Sequence, residues 1–175
     1  TLACVMNNGN PAHIGRFEIP GSEGFQWIWG DGVGKTILRL RPAGEIGTFG
    51  SAENPKPVLQ TSRYSYDRKQ SGNSKFQLWV TDLSIVVPDD QPHAVGLSYA
   101  VANMGAVKRV HILAEGDGGH TGLALVQNNN GPGMIADVRI DGFSTGLDIN
   151  DPCGVCFYLK NIQLVNQKPN GVGMV

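Results

Sequence analysis

One pattern constrains this chain more than any other: apolar-x-x-apolar-x-apolar occurs four times in its second half. The copies are Val80-Thr-Asp-Leu83-Ser-Ile85, Val107-Lys-Arg-Val110-His-Ile112, Ile135-Ala-Asp-Val138-Arg-Ile140 and Leu159-Lys-Asn-Ile162-Gln-Leu164. Leu83, Val110, Val138 and Ile162 stand 27, 28 and 24 residues apart. A second pattern, Gly-apolar-x-apolar, interleaves with the first at Gly96-Leu-Ser-Tyr99, Gly122-Leu-Ala-Leu125, Gly146-Leu-Asp-Ile149 and Gly171-Val-Gly-Met174. Units of this length, with two short strands, turn residues at the corners and no helical periodicity, stack as coils of a parallel β-helix. The expected fold is therefore all-β, a right-handed single-stranded parallel β-helix. A β-sandwich also has frequent strands but no reason to keep a two-strand pattern at constant spacing. A doubly wound α/β sheet needs helices, and 86–94 and 114–121 lack the helical period.

Side chains two apart on a strand share a face, so the repeat also predicts columns. Leu83/Ile85, Val110/Ile112, Val138/Ile140 and Ile162/Leu164 are expected inside. Leu97/Tyr99, Leu123/Leu125, Leu147/Ile149 and Val172/Met174 are expected to oppose them. Ser84, His111, Arg139 and Gln163 then point outward, as do Ser98, Ala124, Asp148 and Gly173.

Composition agrees with frequent turning: 24 of 175 residues are glycine, about twice the usual share of roughly 7%. Fourteen Lys and Arg against fifteen Asp and Glu give a net charge of -1. That balance offers no basic footprint for nucleic acid, and long charge-free runs such as 91–107 are too interrupted to span a membrane. Three cysteines, Cys4, Cys153 and Cys156, cannot form a disulfide framework. Cys153-Gly-Val-Cys156 lacks both the extra ligands of a zinc site and the helix start of a redox motif, so these read as structural or loop cysteines. The chain starts at Thr1 without a signal-like region, which reads as a processed or partial chain.

The first half is less regular. Phe25-Gln-Trp27-Ile-Trp29 alternates, Gly30-Asp-Gly-Val-Gly34 breaks the strand, and Lys35 to Leu40 resumes it. Residues 41–75 form a long excursion with an apolar anchor at Val58 and Leu59, and the whole of 1–175 reads as one β-helix domain. Gly30 to Thr36 imitates a phosphate-binding loop, but its first required glycine is Trp29 and a strand follows in place of a helix.

The stretches Gly32 to Leu40, Pro55 to Leu59, His93 to Leu113 and Ile135 to Ile149 together resemble the pectate-lyase-like superfamily of right-handed β-helices, in its branch near the exo-1,3-glucanases. The resemblance implies a polysaccharide hydrolase or lyase, extracellular or at the cell surface, and the N-terminal part of a longer domain. The paired-aspartate, Gly-His-Gly and Arg-x-Lys motifs of polygalacturonases are missing from this sequence, which argues against a pectin hydrolase. A different class, a non-catalytic carbohydrate-binding or adhesion, tailspike-like β-helix, fits the same coils.

Candidate chemistry falls at four places. Asp148, outward on a strand with Asp151 just beyond it, offers a carboxylate pair for acid-base work or for Ca²⁺, or an ordinary turn. Asp117 and His120, in Asp117-Gly-Gly-His120, are acid-base candidates, or parts of a common turn. Arg109, His111, Asp137 and Arg139, on adjacent coils, form a charge ladder that serves substrate binding or only the surface. Trp27, Trp29 and Trp79 serve as sugar-stacking platforms, with Trp29 and Trp79 the substrate-binding candidates, or mark a buried face. Polysaccharide is the expected partner. Further polypeptide or another subunit is expected on the C-terminal coil, where Val172 and Met174 expose an apolar cross-section and an unpaired edge.

Overall fold

The computed structural model describes residues 17–18, 26–61, 76–127, 129–149 and 156–175. Cys4, Asp151 and Cys153, and the part of the excursion from 62 to 75, lie outside them. The described residues form a parallel β-solenoid. Short strands β1 (Phe17–Glu18), β4 (Lys56–Gln60), β6 (Ala94–Ser98), β8 (Thr121–Ala124), β10 (Thr145–Asp148) and β12 (Val172–Met174) stack in that order into one sheet. Long strands β5 (Leu78–Val87), β7 (Ala106–Ala114), β9 (Gly133–Asp141) and β11 (Phe157–Val165) stack into another, with β2 (Gln26–Trp29) and β3 (Ile37–Arg39) both paired to β5. One four-residue helix, α1 (Ala43–Ile46), is the only helix among the described residues, and none is long and apolar enough to cross a membrane.

The double x of the first pattern has a backbone cause. Its second x is Asp82, Arg109, Asp137 or Asn161, and these have φ of 59°, 51°, 55° and 51°. Each lies between residues that pair normally, as Lys108 and Val110 do with Thr81 and Leu83. One left-handed residue therefore bends every long strand into two arms, letting Val80 and Leu83 both face inward at a spacing of three. Asp and Asn tolerate this conformation better than most side chains; Arg109 does so without that advantage. The side chains join along the column. The Arg109 guanidinium donates to both carboxylate oxygens of Asp82, at 2.6 Å each, and the Asn161 amide donates to Asp137 Oδ1 at 2.9 Å.

The irregular first half obeys the same plan. Trp29 pairs with Thr81 and Ile37 with Ser84, so β2 and β3 are the two arms of one rung. The loop 30–36 puts seven residues where β5 has two, Asp82 and Leu83. Thr36 Oγ1 accepts from the Asp31 N–H at 2.9 Å and Ser84 Oγ from the Gly34 N–H at 3.0 Å; β3 follows, so the glycines serve a turn. Within the excursion, β4 pairs with β6 through Leu59 and Leu97.

The predicted inner columns hold. Leu83, Ile85, Val110, Ile112, Val138, Ile140, Leu97, Tyr99, Leu123, Leu125 and Leu147 are all at most 1% exposed. Tyr99 keeps its hydroxyl satisfied by donating to the Leu78 carbonyl at 2.7 Å, as burial requires. Glycine recurs at the start of the second pattern because the long strands press against it. A Cβ on Gly96 would stand 2.3 Å from Ile112 Cγ2, and one on Gly122 2.2 Å from Ile140 Cγ2.

Two expectations need correction. Val172 pairs with Thr145 and Met174 with Leu147, so Gly173, not Gly171, continues the glycine column. Val172 and Met174 are 47% and 54% exposed, because no rung covers them among the described residues. The second correction concerns the outer side of the short-strand sheet. Ser98, Ala124 and Asp148 sit in one outward row, yet Ser98 and Ala124 are fully buried and Asp148 is 5% exposed. Val95, Ala124 and Val126 form a second, small apolar cluster on that side. Parity places Ser98, Ala124 and Asp148 outward, and burial there removes them from water.

Candidate functional site

A recess lies on the outer side of the long-strand sheet, on the arm before the corner. Trp27, Ile28, Trp29, Trp79, Thr81, Lys108 and Arg109 enclose an open cleft of about 280 Å³, near the lower bound of ligand pockets, roughly 300 Å³. Strand alternation sets the tryptophans outward: Ile28 packs against the core, so its neighbours Trp27 and Trp29 must face the other way. Trp27 is 66% exposed and Trp29 70%. The alternation thus marks a surface platform and not a buried face. Across the rung Trp27 meets Trp79, ring centroids 6.4 Å apart and planes at 59°, a tilted contact in the favourable range for aromatic pairs. Next to the rings stand the Lys108 ammonium and the Arg109–Asp82 fork. The fork holds the Asp82 carboxyl below its ordinary value: the hydrogen bond from Arg109 outweighs desolvation, with Thr81 and Lys108 helping.

Beyond the corner the outer side carries a second group. His111 and Arg139 are paired neighbours, as are Leu113 and Asp141. Arg139 Nη2 donates to Asp141 Oδ2 at 2.8 Å, the Asn166 amide donates to Oδ1 at 3.0 Å, and His111 Nε2 stands 4.0 Å from Oδ2. Burial, reinforced by the Arg139 charge, lowers the His111 pKa against the pull of Asp141. Its Nε2 has no hydrogen-bond partner. His111 and Arg139 are thus together, but Arg109 belongs to the corner column, which separates them from the tryptophans.

The third group surrounds the turn before β8. His120 Nδ1 is 2.8 Å from Thr121 Oγ1. Burial lowers its pKa first, the charge of His93 next; Asp148 opposes them and Lys168 adds to them. Asp148 and His120 are therefore electrostatic neighbours. Asp117 contributes its carbonyl oxygen, which accepts from Lys168 Nζ at 2.5 Å, with Gly119 O at 3.1 Å. The Lys168 pKa is lowered by burial, with Asp117 working against it. Asp148 is not the open carboxylate its parity suggested. Among the described residues no three His, Cys, Asp or Glu side chains gather as metal ligands. Asp151, its proposed companion for Ca²⁺, lies outside the described residues. Cys156 is an exposed free thiol just before β11.

Of the candidates, the structure joins Trp29, Trp79 and Arg109, then His111 and Arg139, then Asp117, His120 and Asp148, as three separate groups. Sequence reasoning missed Lys108, Asp141 and Lys168. Lys108 was findable, being two before Val110 and hence outward on the first arm. Lys168, outside both patterns, was not. Comparison with protein-family models, with curated proteins and with solved structures returned no match.

Proposed function

We propose that this chain is a carbohydrate-binding β-solenoid of the pectate-lyase-like type, whose sugar sits on the tryptophan cleft. One observation carries the reading: two tryptophans more than half exposed and a third beside them share one open recess. An exposed tryptophan leaves a large apolar ring in water with no return from packing. The apolar face of a pyranose covers such a ring while its hydroxyls stay free to bond a neighbouring ammonium. The two carboxylate oxygens of Asp82 are both held by Arg109, which favours binding over acid-base chemistry within the cleft.

Cleavage of the bound chain by hydrolysis or elimination is a second reading, favoured by the half-buried His120 beside Asp148 and Lys168. A panel of soluble polysaccharides separates the two. Affinity electrophoresis should show retardation by at least one polymer. Trp29→Ala should weaken it about tenfold, a loss of roughly 1.4 kcal/mol, with unchanged melting. Release of reducing ends or unsaturated products, lost in His120→Gln, would establish the second reading. Absence of retardation by every polymer would refute the binding reading.

A further inference from the structure

Strand register extends the outer surface of the first arm well past the cleft. In one outward row Trp27, Trp79, Ala106, Met134 and Tyr158 follow one another rung by rung. In the parallel row the order is Trp29, Thr81, Lys108, Ala136 and Lys160. Aromatic rings thus stand at both ends, since Tyr158 is 63% exposed. In the middle Ala106 and Ala136 are covered, at 0% and 2% exposed, and Met134 is half-buried. Four rungs at ~4.8 Å make the distance from Trp27 to Tyr158 roughly 19 Å.

The charges along this surface are spaced too. Lys108 and Lys160 lie two rungs apart, about 10 Å, with Ala136 between them. Neither ammonium has a hydrogen bond or ion pair among the described residues. The adjoining carboxylates are already engaged, Asp82 by Arg109 and Asp137 by Asn161. An ammonium therefore stands on β7, where it also attracts Asp82 without a hydrogen bond, and again two rungs on, on β11.

Building on the binding reading above, we infer that the cleft is the head of a track along the solenoid axis. The track takes a linear acidic polysaccharide lengthwise, with Tyr158 and Lys160 forming its far end. One rung is comparable in length with one pyranose ring, so an extended chain keeps in step with the strands. In a chain with two-fold character, alternate rings turn the same side to the sheet. An acidic group on every second ring then meets Lys108 and Lys160 in turn, while the end rings stack on tryptophan and tyrosine.

The experiment is calorimetric titration of the full chain with three series of di-, tetra- and hexasaccharides. These derive from hyaluronan, which carries carboxylates, from chondroitin sulfate, which adds sulfates, and from cellulose, which is neutral. Acidic tetrasaccharides should bind about tenfold more tightly than acidic disaccharides, with little gain at the hexasaccharide. The double variant Lys108→Gln/Lys160→Gln should bring acidic ligands down to the neutral series and flatten their salt dependence. Tyr158→Ala should weaken the tetrasaccharide and spare the disaccharide. The carboxylate and sulfate arms show which group the lysines take. Equal affinity for acidic and neutral ligands, or affinity independent of length, overturns the track while Trp29→Ala still weakens binding. If the parent chain binds no oligosaccharide, the binding reading falls along with it.

Discussion

The solenoid has two outer surfaces built by the same alternation, and they differ in their contact with water. On the short-strand sheet the outward row of Ser98, Ala124 and Asp148 is at most 5% exposed. On the first arm of the long strands Trp27 and Trp29 are 66% and 70% exposed. Small and polar side chains are buried where a polar face is expected, and large aromatic ones stand in solvent. Alternation therefore decides the side of the sheet a residue occupies and says nothing of what lies above it. A covered outer face serves stability. An open aromatic one, which contributes little to stability, is free to bind.

Charge substitutions break this comparison most sharply. Val138→Asp, inside the barrel, sets the upper limit by burying an unpaired carboxylate, with an expected cost of about 4 kcal/mol. Ala124→Asp should come close, at about 3 kcal/mol, because its outward side is fully buried. Arg139→Ser loses one half-exposed ion pair, about 1 kcal/mol at most. Trp29→Asp should leave the denaturation midpoint unmoved and remove sugar binding. Urea titrations of the four variants rank them. If Ala124→Asp proves as mild as Arg139→Ser, the short-strand sheet is open after all.

Acid should act on the covered groups before the carboxylates. His111 and His120 have folded pKa values below their ordinary 6.5, so the unfolded chain binds more protons in the window below that value. Stability is then full above pH 6.5 and falls as pH drops through the folded values. His111→Gln/His120→Gln should flatten that first decline, measured by melting temperature against pH. A later decline should remain, from Asp82 and Glu115, whose pKa values are lowered chiefly by the hydrogen bonds from Arg109 and Arg39. Theirs is lost only as pH falls through their depressed values.

The smallest expected effect is at the corner. Arg109→Gly relieves a left-handed backbone, roughly 1–2 kcal/mol, and gives up an exposed fork to Asp82 of about 1 kcal/mol or less. The net change should be zero or slightly stabilising in the same urea titrations. A loss above about 2 kcal/mol would mean that the ladder contributes more than an exposed pair.

Much of the fold was legible because the repeat states it twice: Val110 and Ile112 give the inner face of one arm, Leu123 and Leu125 that of the facing strand. The corner was legible only as a spacing of three, since no single residue type fills it; Asp82, Arg109, Asp137 and Asn161 share a φ, not a side chain. The last coil misled by one glycine. Gly171 and Gly173 both satisfy the pattern, and only the strand register, Thr145 opposite Val172, chooses. The site was less legible than the fold. Trp29 and Trp79 were identifiable as outward or inward, but exposure depends on neighbours that periodicity does not encode. Grouping failed where the corner intervenes: Arg109 is the corner itself, and His111, two residues on, lies on the arm beyond it.

The one-residue corner also bears on how such a molecule grows. Because each of the four long strands turns at a residue of the same backbone shape, a duplicated stretch of one period, for instance 106–133, would enter with its bend, its glycine and its inner columns in phase. Selection could lengthen the solenoid by copying alone, adding one step to the polymer it grips at each event. Insertion of a single residue inside an arm has no such outlet, for it would rotate every later side chain on that arm to the opposite face. Changes in length should therefore accumulate at the corners and turns, as the seven residues of the first corner already illustrate.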